Sequence, residues 1–345
     1  NHLVGVLFTE AEVVLYDGSP TGERLWDICA EQGVTIFGTS AAFITAAMKA
    51  GIEPSRARDL RIRAVGSTGS PLPAEGFEWL AERLGPKTWV FSMSGGTDVC
   101  TAFIGGVPTL PVHLGELQAP ALGARVEAWD EEGKPVPLGD VGELVLTAPL
   151  PSMPLHFWGD ADGSRLHDAY FDIYPGVWRH GDWVSFTPSG GAVIHGRSDA
   201  TINRGGVRMG TSELYRALLT LDDIEDALVV DLPDPSGDRM LLFVVLCPEA
   251  VLDDDLRRRI ALRVRERCSP RHVPDDVIAV ADVPRTLSGK LLEVPVKRIL
   301  MGEPASAAVN LGVLANPAAL EPFVALGAIR AFGAPTLPRG VRIAP

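Results

Sequence analysis

Cysteine is scarce and scattered in this chain of 345 residues. Cys29, Cys100, Cys247 and Cys268 form no CxxC pair and no clustered set of cysteines and histidines. That pattern argues against a structural zinc site and against a disulfide framework, and leaves idle thiols in a reducing cytoplasm as the expectation. Long apolar runs are missing too. The longest, Met240 to Cys247, is far short of the ~20 residues a spanning helix needs, and reads as a buried strand. Positive charge is in deficit, with 31 Lys and Arg against 44 Asp and Glu, a net charge of −13. Nucleic acid and anionic membranes are therefore poor partners. An anionic small ligand would need a local cluster of arginine and lysine to overcome that field at close range. No internal repeat is present. No basic stretch leads into an apolar one at the start, so a secretory signal is not expected there.

What is there fits a soluble globular protein of about two domains: 46% hydrophobic and 22% charged residues. The first part alternates strands and helices. Glu12–Tyr16 reads as a strand followed by a turn at Asp17-Gly18-Ser19-Pro20, and Glu23–Gln32 as a helix stopped by Gly33. Val34–Phe37 is a strand, Ser40 caps a helix running to Ala50, and Arg61–Val65 is a further strand. This rhythm predicts βα units and a mostly parallel sheet. From Leu122 the texture changes. Val126–Trp129, Gly142–Leu146, Val177–Arg179 and Ala192–His195 predict a small antiparallel β unit, with Pro188–Gly191 as a hairpin turn. After Asp199 a third texture begins: a helix at Ser212–Leu219, strands at Ala227–Leu232, Met240–Cys247 and Val277–Val280, and an amphipathic helix at Asp253–Arg267. That helix sets Leu256, Ile260, Leu262 and Val264 on or near one face. The prediction is a compact α+β domain. The tail from Ala305, uncharged until Glu321, reads as a loosely packed extension.

Several polar, glycine-broken stretches could carry chemistry. Gly66-Ser67-Thr68-Gly69-Ser70-Pro71 follows a strand, and its small residues let a backbone approach a phosphate or purine. Taken alone it reads more readily as a plain tight turn, and no lysine follows to make it a Walker loop. In Ser94-Gly95-Gly96-Thr97-Asp98 a hydroxyl stands beside a carboxylate after glycines, a way to hold a phosphate and a hard cation, or else an Asx-type turn. His180-Gly181-Asp182-Trp183 puts a carboxylate at a strand edge, able to accept two sugar hydroxyls, though a lone Asp is more often a turn residue. His180 and His195 read as structural. Asn203–Gly210 is a cationic glycine-rich loop, and Arg263, Arg265 and Arg267 make a basic helix end. Without context both read as solvated surface. Pro284-Arg285-Thr286-Leu287-Ser288-Gly289-Lys290 ends in a lysine after a glycine. It is not a Walker motif either, because Pro284 replaces the first glycine and Leu291 follows the lysine.

In this order the stretches resemble the adenylate-forming superfamily, the acyl-CoA synthetases. The resemblance covers Gly66 through Lys290. It implies an α/β fold, with a large AMP-binding domain of βα layers plus a small β unit ending at residue 198. A small mobile α+β domain with its tail would follow over 199–345. It implies that Lys290 is catalytic, neutralising charge where a carboxylate meets the α-phosphate of ATP. Gly69, Ser70 and Pro71 would line the adenine pocket and Thr97 would meet a phosphate. Asp98, standing where relatives have Glu, would take Mg²⁺. Asp182 would grip the ribose, and Arg197 the ribose or α-phosphate. Asp199 would be the hinge, and Gly206, Arg208 and Arg265 would meet coenzyme A. Within the superfamily, Ser94–Phe103, Pro149–Trp158, Tyr174–Trp183, Asn203–Gly210 and Ala308–Gly312 are most similar to members acting on acetoacetate. The implied reaction joins that acid to AMP and then to coenzyme A, with the small domain swinging about Asp199 between the steps.

The superfamily also has a Ser/Thr/Gly-rich phosphate loop ending in lysine, and no such stretch occurs here. The expectation is a C-terminal portion that needs a preceding segment and has little ligase activity by itself. Three other readings stay open: a ligase for acetate or another short acid, a non-catalytic nucleotide- or coenzyme-A-binding remnant, and an acyl adenylation domain serving a carrier protein.

Overall fold

The computed structural model describes residues 5–18, 22–55, 59–200, 202–204, 207–233, 239–287 and 289–331. The chain forms two compact units, Asn1–Ile194 and His195–Pro345.

The first unit opens with a parallel sheet. Strands β1 (Ile36–Ser40), β2 (Ala64–Thr68) and β3 (Trp89–Ser92) lie in the order β1-β2-β3. Helices Arg24–Glu31, Ala41–Lys49 and Ala74–Leu84 alternate with them, as the βα rhythm predicts. Ser40 caps its helix by accepting from the Phe43 N–H at 3.2 Å. The core is built on fully buried Trp26, whose ring lies 5.0 Å from Phe37 and 6.3 Å from Trp79. Glu12–Tyr16 is not a strand: it is irregular, with Val13, Val14, Leu15 and Tyr16 exposed. A run of strand-forming residues needs a neighbour to pair with, and among the described residues it has none.

The rest of this unit is antiparallel. The short strands β4 (Ser94–Gly96), β5 (Thr101–Gly105) and β6 (Ala119–Pro120) form one sheet. Strands β7 (Val126–Trp129), β8 (Gly142–Leu146), β9 (Trp178–Phe186) and β10 (Ala192–Arg197), the last continuing past the end of this unit, form another, in the order β10-β9-β8-β7. The turn between β9 and β10 is closed by Thr187 N–H to Gly191 O at 2.9 Å. Every residue of β8 is buried, Glu143 included.

In the second unit, β11 (Ile202–Arg204) and β12 (Val207–Met209) form an antiparallel pair. Strands β13 (Ile224–Leu232), β14 (Arg239–Leu246) and β15 (Asp276–Ala279) form a three-stranded sheet. Its side chains divide by strand alternation. Leu228, Val230, Leu232, Leu241, Phe243 and Ile278 enter one core, while Ala227, Val229, Met240, Leu242, Val244 and Val277 enter the other. With both faces covered, β14 reads in sequence as an unbroken apolar run. The helices Thr211–Leu218 and Asp254–Arg267 supply the second core through Leu214, Leu218, Leu256, Ile260 and Val264. Leu262 is exposed, so it is not part of that face.

The tail departs from expectation. Over its described part it is no loose extension. Val309, Leu314, Leu320, Phe323 and Leu326 are buried in the first core beside Val296, Ile299 and Leu300 of the helix Glu293–Leu300. Phe323 and Leu326 lie on the helix Glu321–Ala331, each worth ~1.5–3 kcal/mol when fully buried. A Cβ at Gly327 would collide with the Ile299 carbonyl oxygen, so the small residue there is what lets the two backbones meet. Small residues looked like slack in the sequence, yet here they permit close packing.

Candidate functional site

Two candidate loops leave the carboxyl ends of neighbouring parallel strands. Ser67 on β2 stands opposite Ser92 on β3, and Met93 N–H donates to Ser67 O at 2.8 Å. Open α/β sheets bind ligands beyond those strand ends. Gly69 has φ 88°, which an L side chain rarely adopts, and Ser70 beside it is exposed. The Ser67 hydroxyl is buried without a hydrogen-bond partner among the described residues. Nothing in the sequence marks that orphan, because a serine inside a loop motif carries no sign of burial.

The second loop runs through β4 into a turn at Thr97-Asp98, where Cys100 N–H donates to Thr97 O at 3.1 Å. A Cβ at Gly96 would stand 3.0 Å from the His180 ring, and Phe103 meets that ring edge-on at 4.6 Å. The Thr97-Asp98 and His180-Gly181-Asp182 motifs are therefore brought together. Asp98 Oδ2 accepts from the Tyr170 hydroxyl at 2.6 Å, and Tyr170 stacks on Trp178 with ring centres 3.5 Å apart. Tyr170 ends the helix Ser164–Tyr170, and no motif marked it.

His180-Gly181-Asp182 is a bulge. Val145 faces Arg179 and Glu143 faces Trp183, so one residue of β8, Leu144, stands against these three on β9. Gly181 has φ 85°. Its N–H donates to Glu143 Oε1 at 3.0 Å, and Arg179 Nε donates to Glu143 Oε2 at 3.0 Å. A buried carboxylate with both oxygens satisfied thus sits beneath the bulge. Trp178 Nε1 donates to His180 Nδ1 at 3.4 Å, which leaves Nε2–H facing Asp182 Oδ2 at 3.5 Å. His180 acts here as a prop for Asp182. Glu143 could have been noticed as a charge at the head of the apolar run Leu144-Val145-Leu146.

In the second unit, Arg197 and Asp199 form a bidentate pair, Nε to Oδ1 at 2.9 Å and Nη2 to Oδ2 at 2.7 Å. Both side chains are well exposed. Asn203 stands opposite Arg208 in the β11–β12 register. Gly206 lies outside the described residues. Arg265 is exposed in the last turn of the helix Asp254–Arg267, away from its buried face. Arg263 is engaged with Thr220, and Arg259 with Asp223. Lys290 is exposed on a tight loop. Gly289 precedes it with φ 84°, Thr286 N–H donates to Lys290 O at 2.9 Å, and Arg285 pairs with Leu291 across the loop's mouth.

The second unit also holds two groups with shifted titration. The His195 imidazole is the main cause holding the Glu213 carboxyl below its usual range, against the opposing effect of burial. Burial pushes the His272 pKa down despite Glu213 nearby. Among the described residues no cluster of three or more His, Cys, Asp or Glu is arranged to hold a metal. Asp98 offers a single carboxylate. That suits a Mg²⁺ held largely by substrate phosphates, as such ions are when one or two carboxylates suffice.

The chain matches the AMP-binding enzyme family over residues 1–153 and the AMP-binding enzyme C-terminal domain over residues 213–290. It is 46% identical over 330 residues to the acetoacetyl-coenzyme A synthetase of Rhizobium meliloti (strain 1021), covering 94% of this chain and 50% of that protein. It is 40% identical over 327 residues to the acetoacetyl-CoA synthetase of Gallus gallus, covering 93% of this chain and 48% of that one. Among solved structures, the acetoacetyl-CoA synthetase from Streptomyces lividans superposes with a TM-score of 0.86 at 51% identity, over 95% of this chain and 51% of that one. The chain thus spans about half the length of these relatives.

Proposed function

The chain belongs to the AMP-binding enzyme family, and from that premise we propose that it serves an AMP-forming acetoacetate–CoA ligase. The observation that carries this reading is the likeness to acetoacetyl-CoA synthetases through nearly the whole chain, tail included. In the first step a carboxylate oxygen of acetoacetate attacks the α-phosphorus of ATP and the bond to pyrophosphate breaks. In the second, the coenzyme A sulfur attacks the acyl carbon, AMP leaves with the oxygen, and the thiol proton passes to solvent.

Each residue has a proposed part. Gly69, Ser70 and Pro71 line the adenine, Thr97 donates to a phosphate oxygen, and Asp182 accepts the ribose hydroxyls from its propped position on the bulge. Asp98 takes Mg²⁺, which when bound neutralises charge on the phosphates. Arg197 reaches the ribose or α-phosphate. Its pairing with Asp199 is exposed, worth ~0.2–1 kcal/mol, so a phosphate competes readily for the guanidinium. Lys290 balances the charge of two anions brought together, an effect of ~3–4 kcal/mol for an oriented donor in a dry site. Gly206 and Arg208 approach coenzyme A, and Arg265 adds charge for its phosphates. The segment 199–345 turns about Asp199 between the two steps.

The test is acid-dependent pyrophosphate release by the complete product of the reading frame that encodes these residues, with ATP, Mg²⁺ and coenzyme A. Acetoacetate is expected to exceed acetate and propionate in kcat/KM by about 10- to 200-fold, the range that one small group in a pocket supplies. Equal or faster release with acetate overturns the substrate, and no release with any acid overturns the reaction.

A further inference from the structure

Lysine is a flexible side chain with ~2 kcal/mol of rotamer entropy, so an exposed ammonium is placed only as well as the backbone that bears it. The loop that bears Lys290 is tied on one limb to the tail. Leu287 N–H donates to Val313 O at 2.8 Å, and Ala315 N–H donates to Arg285 O at 2.9 Å. The other limb, Gly289-Lys290, is reached by a side chain. Arg285 Nη1 donates to Gly289 O at 2.7 Å. That carbonyl belongs to the peptide unit whose nitrogen is Lys290's own, so the contact fixes the plane from which Lys290 departs.

Arg285 is itself held. Its Nε donates to Asp226 Oδ2 at 2.9 Å and its Nη2 to Asp226 Oδ1 at 2.8 Å, a bidentate fork. Asp226 Oδ1 also accepts from Ala227 N–H at 2.8 Å. Asp226 lies on β13 beside a bulge, where Glu225 is the extra residue between the pairs Ile224–Leu246 and Asp226–Val245. Bulges re-aim side chains at sheet edges and next to sites. A continuous linkage therefore runs from the central sheet through Asp226 and Arg285 to Gly289 and Lys290. Both partners are about three-quarters buried, with side chains 25% and 23% exposed, so solvent screens them less than a surface pair.

We propose that Arg285, held by Asp226, is the positioning residue that sets where Lys290 stands for the adenylation step. This rests on the reading of Lys290 given above. A pair that only stabilised the fold would serve both half-reactions alike. A pair that aims Lys290 serves the first, because the thioester step is assigned to the Gly206–Arg208 loop.

The experiment uses the complete reading-frame product and its Arg285→Gln, Arg285→Lys and Asp226→Asn variants, with the acid the parent activates best. Acid-dependent exchange of pyrophosphate into ATP reads the first step, and thioester formation from the preformed acyl-AMP and coenzyme A reads the second. Arg285→Gln is expected to slow the first by about 10- to 100-fold, as a misplacement near 1 Å does, while the second stays within about threefold. Arg285→Lys, which keeps the charge but loses the fork, falls between. In the 345-residue chain, the Gly289 and Lys290 amides should exchange about tenfold faster with solvent while the β13 amides keep their protection. Equal losses in both half-reactions, or unchanged exchange at Gly289 and Lys290, overturn the clamp. Should Arg285→Gln fail to fold, Arg285→Lys alone decides by the same split. A parent that activates no acid counts against the ligase reading, and the amide measurement then judges the clamp by itself.

Discussion

Asp182 and Lys290 are supported by the same device assembled in two ways. Each follows a glycine with a left-handed backbone, Gly181 at φ 85° and Gly289 at φ 84°. Each glycine is held by an acid–arginine pair. Under Asp182 the acid makes the contact, with Glu143 accepting from the Gly181 N–H. Beside Lys290 the arginine makes it, with Arg285 donating to the Gly289 carbonyl. The arginines are similarly covered, 24% and 25% exposed, but the acids differ: Glu143 is 4% exposed and Asp226 23%. The buried acid is an integral part of its sheet and keeps Asp182 in one place. The more exposed one, still about three-quarters buried, holds an exposed loop, where a local opening costs less. A group that grips a nucleoside gains from the first arrangement. A group proposed to serve one step and withdraw for the next gains from the second.

The widest way to break this comparison is Glu143→Ala. Removing one partner of a buried pair costs 3–5 kcal/mol because the other charge is stranded, and partial exposure of Arg179 puts the expected loss at about 3 kcal/mol. The Gly181 N–H loses its acceptor as well. Glu143→Gln keeps an acceptor oxygen for Gly181 and is expected to lose less. Asp226→Ala, at the better solvated pair, should lose less than Glu143→Ala. Urea unfolding of the three variants checks the order. If Asp226→Ala equals Glu143→Ala, the distinction between the two supports fails.

A smaller effect separates the units by pH. His272 is buried, with Nδ1 2.9 Å from Ser269 Oγ and Nε2 4.0 Å from Glu213 Oε2, too far for a hydrogen bond. Burial lowers its pKa in the folded state below the ordinary 6.5. The unfolded chain then binds this proton more readily than the folded one. Stability is complete above pH 6.5 and is lost as pH falls through 6.5 toward the folded-state value, levelling off below it. Glu213, with its pKa held down chiefly by His195, adds a second loss only as pH falls through the carboxylate range. His272→Asn should therefore flatten the decline between pH 7.5 and about 5, read as urea midpoints across that range. An unchanged slope would place the proton elsewhere.

The sequence disclosed the rhythm of elements better than their partners. The Ser40 cap, the helix stop before Gly33 and the antiparallel register of Val126–Trp129 with Gly142–Leu146 are local or nearly so, and local chemistry is legible. Glu12–Tyr16 has strand composition but no described neighbour, and pairing is a property of two segments. Leu262 is apolar and near the periodic face, yet apolarity alone does not tell which side of a helix meets a partner. The tail is hard to read for a related reason, since Gly327 shows its use only against Ile299. At the site, Asp182 and Lys290 stood out through their motifs. Glu143, Tyr170 and Asp226 did not, because each acts on a residue 38, 72 or 59 positions away in the chain.

The smallest effect concerns Asp199, and its smallness is what matters. The Arg197–Asp199 pair is bidentate and well aligned, yet the side chains are 45% and 38% exposed. In that setting a pair is worth ~0.2–1 kcal/mol, against about 3 kcal/mol for the Glu143 support. Asp199→Ala should therefore shift the urea midpoint only slightly, and most of that shift should vanish in 1 M salt, where screening acts over ~3 Å. A loss above about 1 kcal/mol that persists in salt would mean the pair is held by more than its own two charges. Arg197 would then be unable to leave Asp199 for a phosphate at modest cost, and its proposed part in binding the nucleotide would fall with it.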